Sequence, residues 1–178
     1  MENNGTKFSM FHLSMYYGLF LGLFLILRFF LSAFSPSSMT FSFLVLFATC
    51  LIPILAYFFA RKFRDNFFEE NVRYAHIYMF CFLLFFFASL FLAAVEYIFY
   101  QYIQPDFLNQ QYSLLLNEMK LLEKQIPELS TYAAEITKVG VPSAIEVAIQ
   151  NIWIYSFFGM VIGFILGFFL KRNTKKTL

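Results

Sequence analysis

Apolar residues in this chain gather into four long stretches: Phe11 to Phe34, Met39 to Ala60, Tyr74 to Tyr102 and Asn151 to Leu170. A helix rising about 1.5 Å per residue needs roughly 20 residues to cross a hydrocarbon core, and each stretch reaches that length. In lipid every backbone polar group must find its partner within the segment, so such stretches form helices. The pattern therefore predicts an all-α, polytopic membrane protein with four transmembrane helices in one membrane domain, residues 1–178. Ser35-Pro36-Ser37-Ser38 gathers turn-forming residues and predicts that the first two spans form an antiparallel hairpin. Pro53 frees the carbonyl of Thr49 and predicts a kink in the second span. Lys7 ahead of an apolar stretch imitates a secretion signal. The stretch is too long for a signal core and no small-x-small cleavage site follows, so it is expected to remain as an anchor.

Between the third and fourth spans the pattern changes, and residues 103–150 read as a small helical cap. Leu108, Tyr112, Leu115, Met119, Leu122 and Ile126 recur at spacings of four and three, an amphipathic stripe on a helix that also carries Asn109, Gln110, Glu118 and Lys120. Pro127 ends that helix; a second, Glu128 to Lys138, is closed by Gly140; and Ser143 with Glu146 has the capping-box spacing that starts a helix running into the fourth span. The stripe has three candidate partners: the outer leaflet, the neighbouring short helix or another protein. Too few heptads are present for a free-standing coiled coil, which places folding back with interfacial contact first.

Composition supports lipid as the main solvent, because a globule of 178 residues has no core large enough for 28 Phe and the accompanying Leu and Ile. Charge sets the orientation. Lys7, Arg61, Lys62, Arg64, Arg73, Lys171, Arg172, Lys175 and Lys176 fall on one side of the membrane, and only Lys120, Lys124 and Lys138 on the other. The bias of basic residues toward cytoplasmic segments predicts both termini inside and the cap extracytoplasmic. Arg61, Lys62 and Arg64, interleaved with Phe63, read as an interfacial loop suited to anionic lipid. In the cap Asp106, Glu118, Glu123, Glu128, Glu135 and Glu146 outnumber the three lysines, which argues against nucleic acid as a partner.

Chemistry is sparse. Cys50 and Cys81 lie inside apolar runs and read as small buried hydrophobes. His12 and His76 lack companions for a metal site, and no phosphate-binding glycine loop, HExxH or GxSxG pattern is present, so neither cofactor nor enzymatic activity is expected. Arg28 and Glu96 stand out as ionisable groups inside apolar runs, where a charge marks function or an internal partner. Each lies six residues from the outer end of its span, about 9 Å deep at helical rise. An ion pair between spans one and three is the favoured expectation; a proton-exchanging carboxylate and an Arg28 that snorkels to headgroups are the alternatives. Gly18 and Gly22, with Ser14, form one small-residue ladder, and Gly159, Gly163 and Gly167 form a second at matching depth. Glycines at this spacing let helices approach closely, which predicts antiparallel packing of spans one and four along the two ladders, with a homodimeric or heteromeric seam as the alternative.

The stretch from Glu96 through Tyr97-Ile98-Phe99-Tyr100-Gln101-Tyr102-Ile103-Gln104 to Pro105-Asp106-Phe107 resembles a signature of the bacterial domain-of-unknown-function family 4199, four-span proteins mainly of Bacteroidota. Arg64-Asp65 after the second span, the glycines of the first span and a last span ending in Lys or Arg extend the resemblance over nearly the whole chain. Where this chain has Phe67-Phe68-Glu69-Glu70, the family often has glycines. The resemblance implies an inner-membrane location and association with a polyprenyl-phosphate-type membrane glycosyltransferase, hence an accessory or scaffold subunit of an enzyme of envelope or glycolipid synthesis. A small oligomeric transporter or channel using Arg28 and Glu96 is the alternative. It requires a homo-oligomer, because one chain with so few internal polar groups encloses no aqueous path.

Overall fold

The computed structural model describes residues 10–33, 39–67, 74–122 and 136–170. The Ser35–Ser38 turn, Ile126, Pro127, residues 128–135 of the second cap helix and the basic tail lie outside the described residues. The described elements are α1 (Met10–Ala33), α2 (Met39–Phe67), α3 (Tyr74–Ile98) continued by a π-helical turn (Phe99–Ile103), α4 (Phe107–Leu122) and α5 (Ala144–Leu170). No strand occurs among the described residues. Four of these helices are long and apolar enough to cross a membrane. They match the predicted spans closely, except that α2 continues to Phe67 and α5 begins at Ala144. Pro53 sits inside a continuous α2.

The chain divides into two compact units, Met1–Leu92 with Asn151–Leu178, and Ala93–Gln150. In the first, α3 is the hub. In the most apolar window of its span 61% of residues are buried, against 28%, 22% and 28% for α1, α2 and α5. Its buried positions Ile77, Phe80, Cys81, Leu84, Phe85, Ala88, Ser89 and Leu92 alternate steps of three and one, which covers two adjacent stripes and lets the helix meet several partners. Phe63 of α2 stacks on Phe80 with ring centroids 4.3 Å apart. The α1–α2 pair is antiparallel: Tyr17 stacks on Phe59 at 5.1 Å, while Arg28, later in α1, meets Thr49, earlier in α2.

Both glycine ladders rest on α3, which corrects the expected α1–α5 seam. A Cβ at Gly18 would lie 2.8 Å from Phe87 Cβ and 3.1 Å from the Leu84 carbonyl, and one at Gly22 would lie 3.2 Å from the Ala88 carbonyl. Positions rise together, so α1 and α3 run parallel. On α5, Gly159 faces Phe85 and Cys81, Gly163 faces Cys81 and Tyr78, and Gly167 faces the Tyr74 ring, an antiparallel progression. Equal depth along the membrane normal is shared by all neighbours in a bundle. It says nothing of which side of a helix a residue faces, and the expectation failed for that reason.

In the second unit the π-helical turn closes with the Gln104 N–H donating to the Phe99 carbonyl at 2.9 Å, and Tyr100 stacks over Phe107 at 5.7 Å where α4 begins. Tyr112 Oη donates to the Ile136 carbonyl at 2.6 Å, which folds α4 back on the helical turn 136–139. Gly140, at φ +79°, ends that turn in the left-handed region that favours glycine, its N–H reaching the Ile136 carbonyl. The predicted capping box forms. Glu146 Oε2 accepts from the Ser143 N–H at 2.7 Å and from its hydroxyl at 2.9 Å, and the Glu146 N–H points back to Ser143 Oγ at 3.4 Å. The amphipathic stripe needs correction: Leu108, Tyr112 and Met119 are half-buried as expected, but Leu116 joins them in place of Leu115, and Leu115 and Leu122 are exposed. Side chains next to one another on a helical stripe differ by only part of a turn, so spacing alone did not choose between Leu115 and Leu116.

Candidate functional site

The chemistry of the first unit centres on Arg28. Its Nε donates to Thr49 Oγ1 at 2.9 Å and an Nη1 hydrogen goes to Tyr155 Oη at 3.1 Å, so one side chain ties α1 to α2 and α5. Thr49 in turn donates its hydroxyl hydrogen to the Val45 carbonyl at 2.8 Å, which fixes its oxygen as an acceptor toward Arg28. The same Thr49 precedes Pro53 by four positions, so the one turn of α2 without its regular backbone hydrogen bond carries the arginine's acceptor. Arg28 is half-buried and donates to hydroxyls on neighbouring spans. The Thr49 hydroxyl and Tyr155 are not distinguished as site groups by the sequence. Their signal is polarity within the second and fourth spans, which is weak because hydroxyl side chains are tolerated widely in membrane helices.

Glu96 lies in the last turn of α3, buried to 4% exposure within the second unit. Ser14, Ser89, Glu96 and Ser156 are the buried polar or charged side chains among the described residues, and the Ser89 hydroxyl donates to the Phe86 carbonyl at 2.8 Å. Among the described residues no group of three His, Cys, Asp or Glu side chains comes together as a metal set would.

Arg61, Lys62 and Arg64 belong to α2 and not to a loop. They occupy its last two turns, where basic side chains complement the negative end of the helix dipole and continue the helix past the apolar run. Arg64 Nε and Nη2 both approach Asp65 Oδ1 at 2.8 Å, and Arg61 reaches Asp65 Oδ2 at 3.8 Å, an i,i+4 pair. Both pairs are solvent-exposed enough to add little stability. Lys62 is exposed, whereas Phe63 between the cations is fully buried against Phe80.

Four apolar helices of spanning length, packed through small residues and tied by an intramembrane arginine, define a multi-pass α-helical membrane protein whose solvent is a lipid bilayer. The chain belongs to the family described as "Protein of unknown function (DUF4199)", whose pattern matches residues 16–172 and so takes in Arg28, Glu96, α4 and both glycine ladders. Neither a curated protein nor a solved structure matches the chain.

Proposed function

We propose that the protein is a non-catalytic accessory or scaffold subunit of a membrane enzyme of envelope or glycolipid synthesis, set in a bacterial inner membrane with both termini cytoplasmic and residues 103–150 outside. The observation that carries this reading is the use made of polar groups within the spans. Arg28, Thr49 and Tyr155 hold helices to one another, and Gly18, Gly22, Gly159 and Gly163 meet α3 at close range. The outward faces of α2 and α5 present large apolar side chains, among them Phe43, Phe47, Phe58, Trp153, Phe157 and Phe169. A rigid bundle with apolar flanks suits a subunit that positions a partner within the bilayer. The family resemblance supplies the partner class, a membrane glycosyltransferase acting on a polyprenyl-phosphate-type lipid. Purification of the native complex in mild detergent followed by mass spectrometry is the test. A glycosyltransferase recovered in stoichiometric amount supports the reading, and recovery of this chain alone or only with copies of itself overturns it.

A second reading, a small oligomeric transporter or channel, draws on the burial of the Glu96 carboxyl in an apolar run. Ion or proton flux in proteoliposomes that is lost in Glu96→Gln would establish it in place of the first. The pairing of Arg28 with Glu96 remains a proposal resting on their equal sequence distance from the outer ends of their spans.

A further inference from the structure

Helix α4 has three faces, of which two are accounted for. Leu108, Tyr112, Leu116 and Met119 form the half-buried face, and Asn109, Gln110, Ser113, Asn117 and Lys120 form an exposed polar one. The third presents Leu114 and Leu115 and, seven residues or two turns later, Leu121 and Leu122, all exposed, with Leu121 at 74% and with the exposed Gln111 and Glu118 between the two leucine rows. Leu115 also borders a shallow groove shared with Pro142, and beside Pro142 the chain exposes Val139, at 85%, and Val141. Exposed leucine pairs repeated on one helix face need an occupant.

We propose that this third face of α4, together with Val139 and Val141, is seated in the lipid surface, so that α4 lies along the bilayer as an interfacial element. The argument for lipid is continuity with the membrane-spanning helices at both ends of the segment. Phe107, the first residue of α4, follows Ile103, the last residue of the third span, by four positions, at most about 14 Å of extended chain. Val139 and Val141 precede Ala144, where the last spanning helix begins, by five and three positions. An aromatic cluster marks the boundary: Tyr97 meets Tyr102 edge-on, Tyr100 stacks on Phe107, and Tyr102 and Ile103 are exposed. Tyrosines of this kind sit at headgroup level. The chemistry of the lipid follows from charge. With six acidic residues against three lysines in residues 103–150, anionic headgroups are repelled, and apolar insertion into a zwitterionic surface is the driving interaction. This inference does not depend on the accessory-subunit reading.

The test places an environment-sensitive fluorophore on single thiols in the full chain, in a Cys50→Ala, Cys81→Ala background, reconstituted in phosphatidylcholine nanodiscs with or without spin-labelled lipid. Leu115→Cys and Leu121→Cys report the third face; Ser113→Cys and Asn117→Cys report the polar face. Fluorophores on the third face are expected to emit at shorter wavelength and to be quenched several-fold more by the spin-labelled lipid than those on the polar face, with no dependence on salt. Equal quenching on both faces overturns the proposal. So does a third face that is shielded yet unquenched, which would mean a protein cover, a second copy included. Should either leucine variant elute as an aggregate, Leu114→Cys on the same face gives the same reading.

Discussion

The seam between α5 and α3 predicts a graded response to alanine. A Cβ at Gly159 would stand 2.6 Å from Phe85 Cβ and 3.1 Å from the Cys81 carbonyl, atoms bound to or part of the α3 backbone. Carbon contacts are relaxed at about 3.5–4.0 Å, so the two helices must separate by about 1 Å locally. Overpacking of this kind costs about 1–3 kcal/mol, and the better helix propensity of alanine returns up to about 1 kcal/mol, which leaves Gly159→Ala destabilised by about 1–2 kcal/mol. At Gly163 the closest atoms, Cys81 Cβ and the Tyr78 carbonyl, are both at 3.0 Å, so the shift is smaller and the net loss falls to about 0–1 kcal/mol. At Gly167 the closest atom, at 2.6 Å, belongs to the edge of the Tyr74 ring, which can swing aside, and Gly167→Ala should be close to neutral. Reversible unfolding in mixed micelles with increasing denaturing detergent measures the three variants on one scale. A flat series, or one in which Gly167→Ala is the worst, refutes the seam. Cross-linking gives an independent reading: Gly163→Cys should form a disulfide with native Cys81 under mild oxidation after a small adjustment, because the Cβ atoms stand close to disulfide spacing. A bond from Gly163→Cys to Gly18→Cys in preference to Cys81 would restore the α1–α5 seam.

The Arg28 tie predicts that Thr49→Val and Tyr155→Phe each cost about 1 kcal/mol and that Arg28→Gln costs more, since intramembrane hydrogen bonds average well under 2 kcal/mol while one to a cation is stronger; the same unfolding titration checks the order, and an Arg28→Gln as stable as the parent sinks it. The pairing inferred from span depth is tested by the exchange Arg28→Glu with Glu96→Arg, which should fold better than either single variant; equal or worse recovery of the double variant in monodisperse form removes the pair. Ser143→Ala deletes the hydroxyl half of the capping box and should weaken the start of α5 by about 1 kcal/mol. Hydrogen exchange at the amides of residues 144–147 reads this directly, and exchange unchanged from the parent would show that the cap contributes nothing.

Much of the helix map was legible because lipid imposes a length requirement that composition records directly: the apolar run ending at Tyr102 stops one residue from Ile103, where the third spanning helix ends. The capping box at Ser143 and the stop at Gly140 were equally legible, since each depends on a local backbone geometry that few residue types satisfy. Rotation about the helix axis was not. In a water-soluble helix the polar face reports it, but α5 is apolar all round, so its buried stripe through Ser156, Gly159, Gly163 and Gly167 is marked by size alone. Size identified the glycines without naming their neighbour. The basic end of α2 is helical although charge there resembles a loop, because Arg and Lys are good helix formers and the helix runs on to Phe67 past the apolar stretch. The Thr49 hydroxyl and Tyr155 escaped for a related reason: their significance depends on the three-helix juxtaposition at Arg28, which no one segment encodes.

The division of residue sizes explains why α3 and no other span is the hub. No glycine occurs in Tyr74–Ile103, and its fully buried side chains include Phe80, Phe85, Leu84 and Phe99. The faces turned inward on the other spans mix small residues, Ser14, Gly18 and Gly22 on α1, Ala48, Ala56 and Ala60 on α2, and Ser156, Gly159 and Gly163 on α5, with larger ones such as Leu21, Leu25, Ile52, Phe63 and Ile162. Between lipid-solvated helices burial of apolar surface yields little, because the alternative environment is equally apolar, so association depends on close packing. Glycines of α1 and α5 set against α3 bring the backbones close, and α3 gains this packing from more than one neighbour. It leaves bulky residues of the outer helices, such as Phe47 on α2 and Phe157 on α5, pointing outward. Gly18, Gly22, Gly159 and Gly163 are engaged with α3, and the phenylalanine-rich flanks of α2 and α5 are left facing outward.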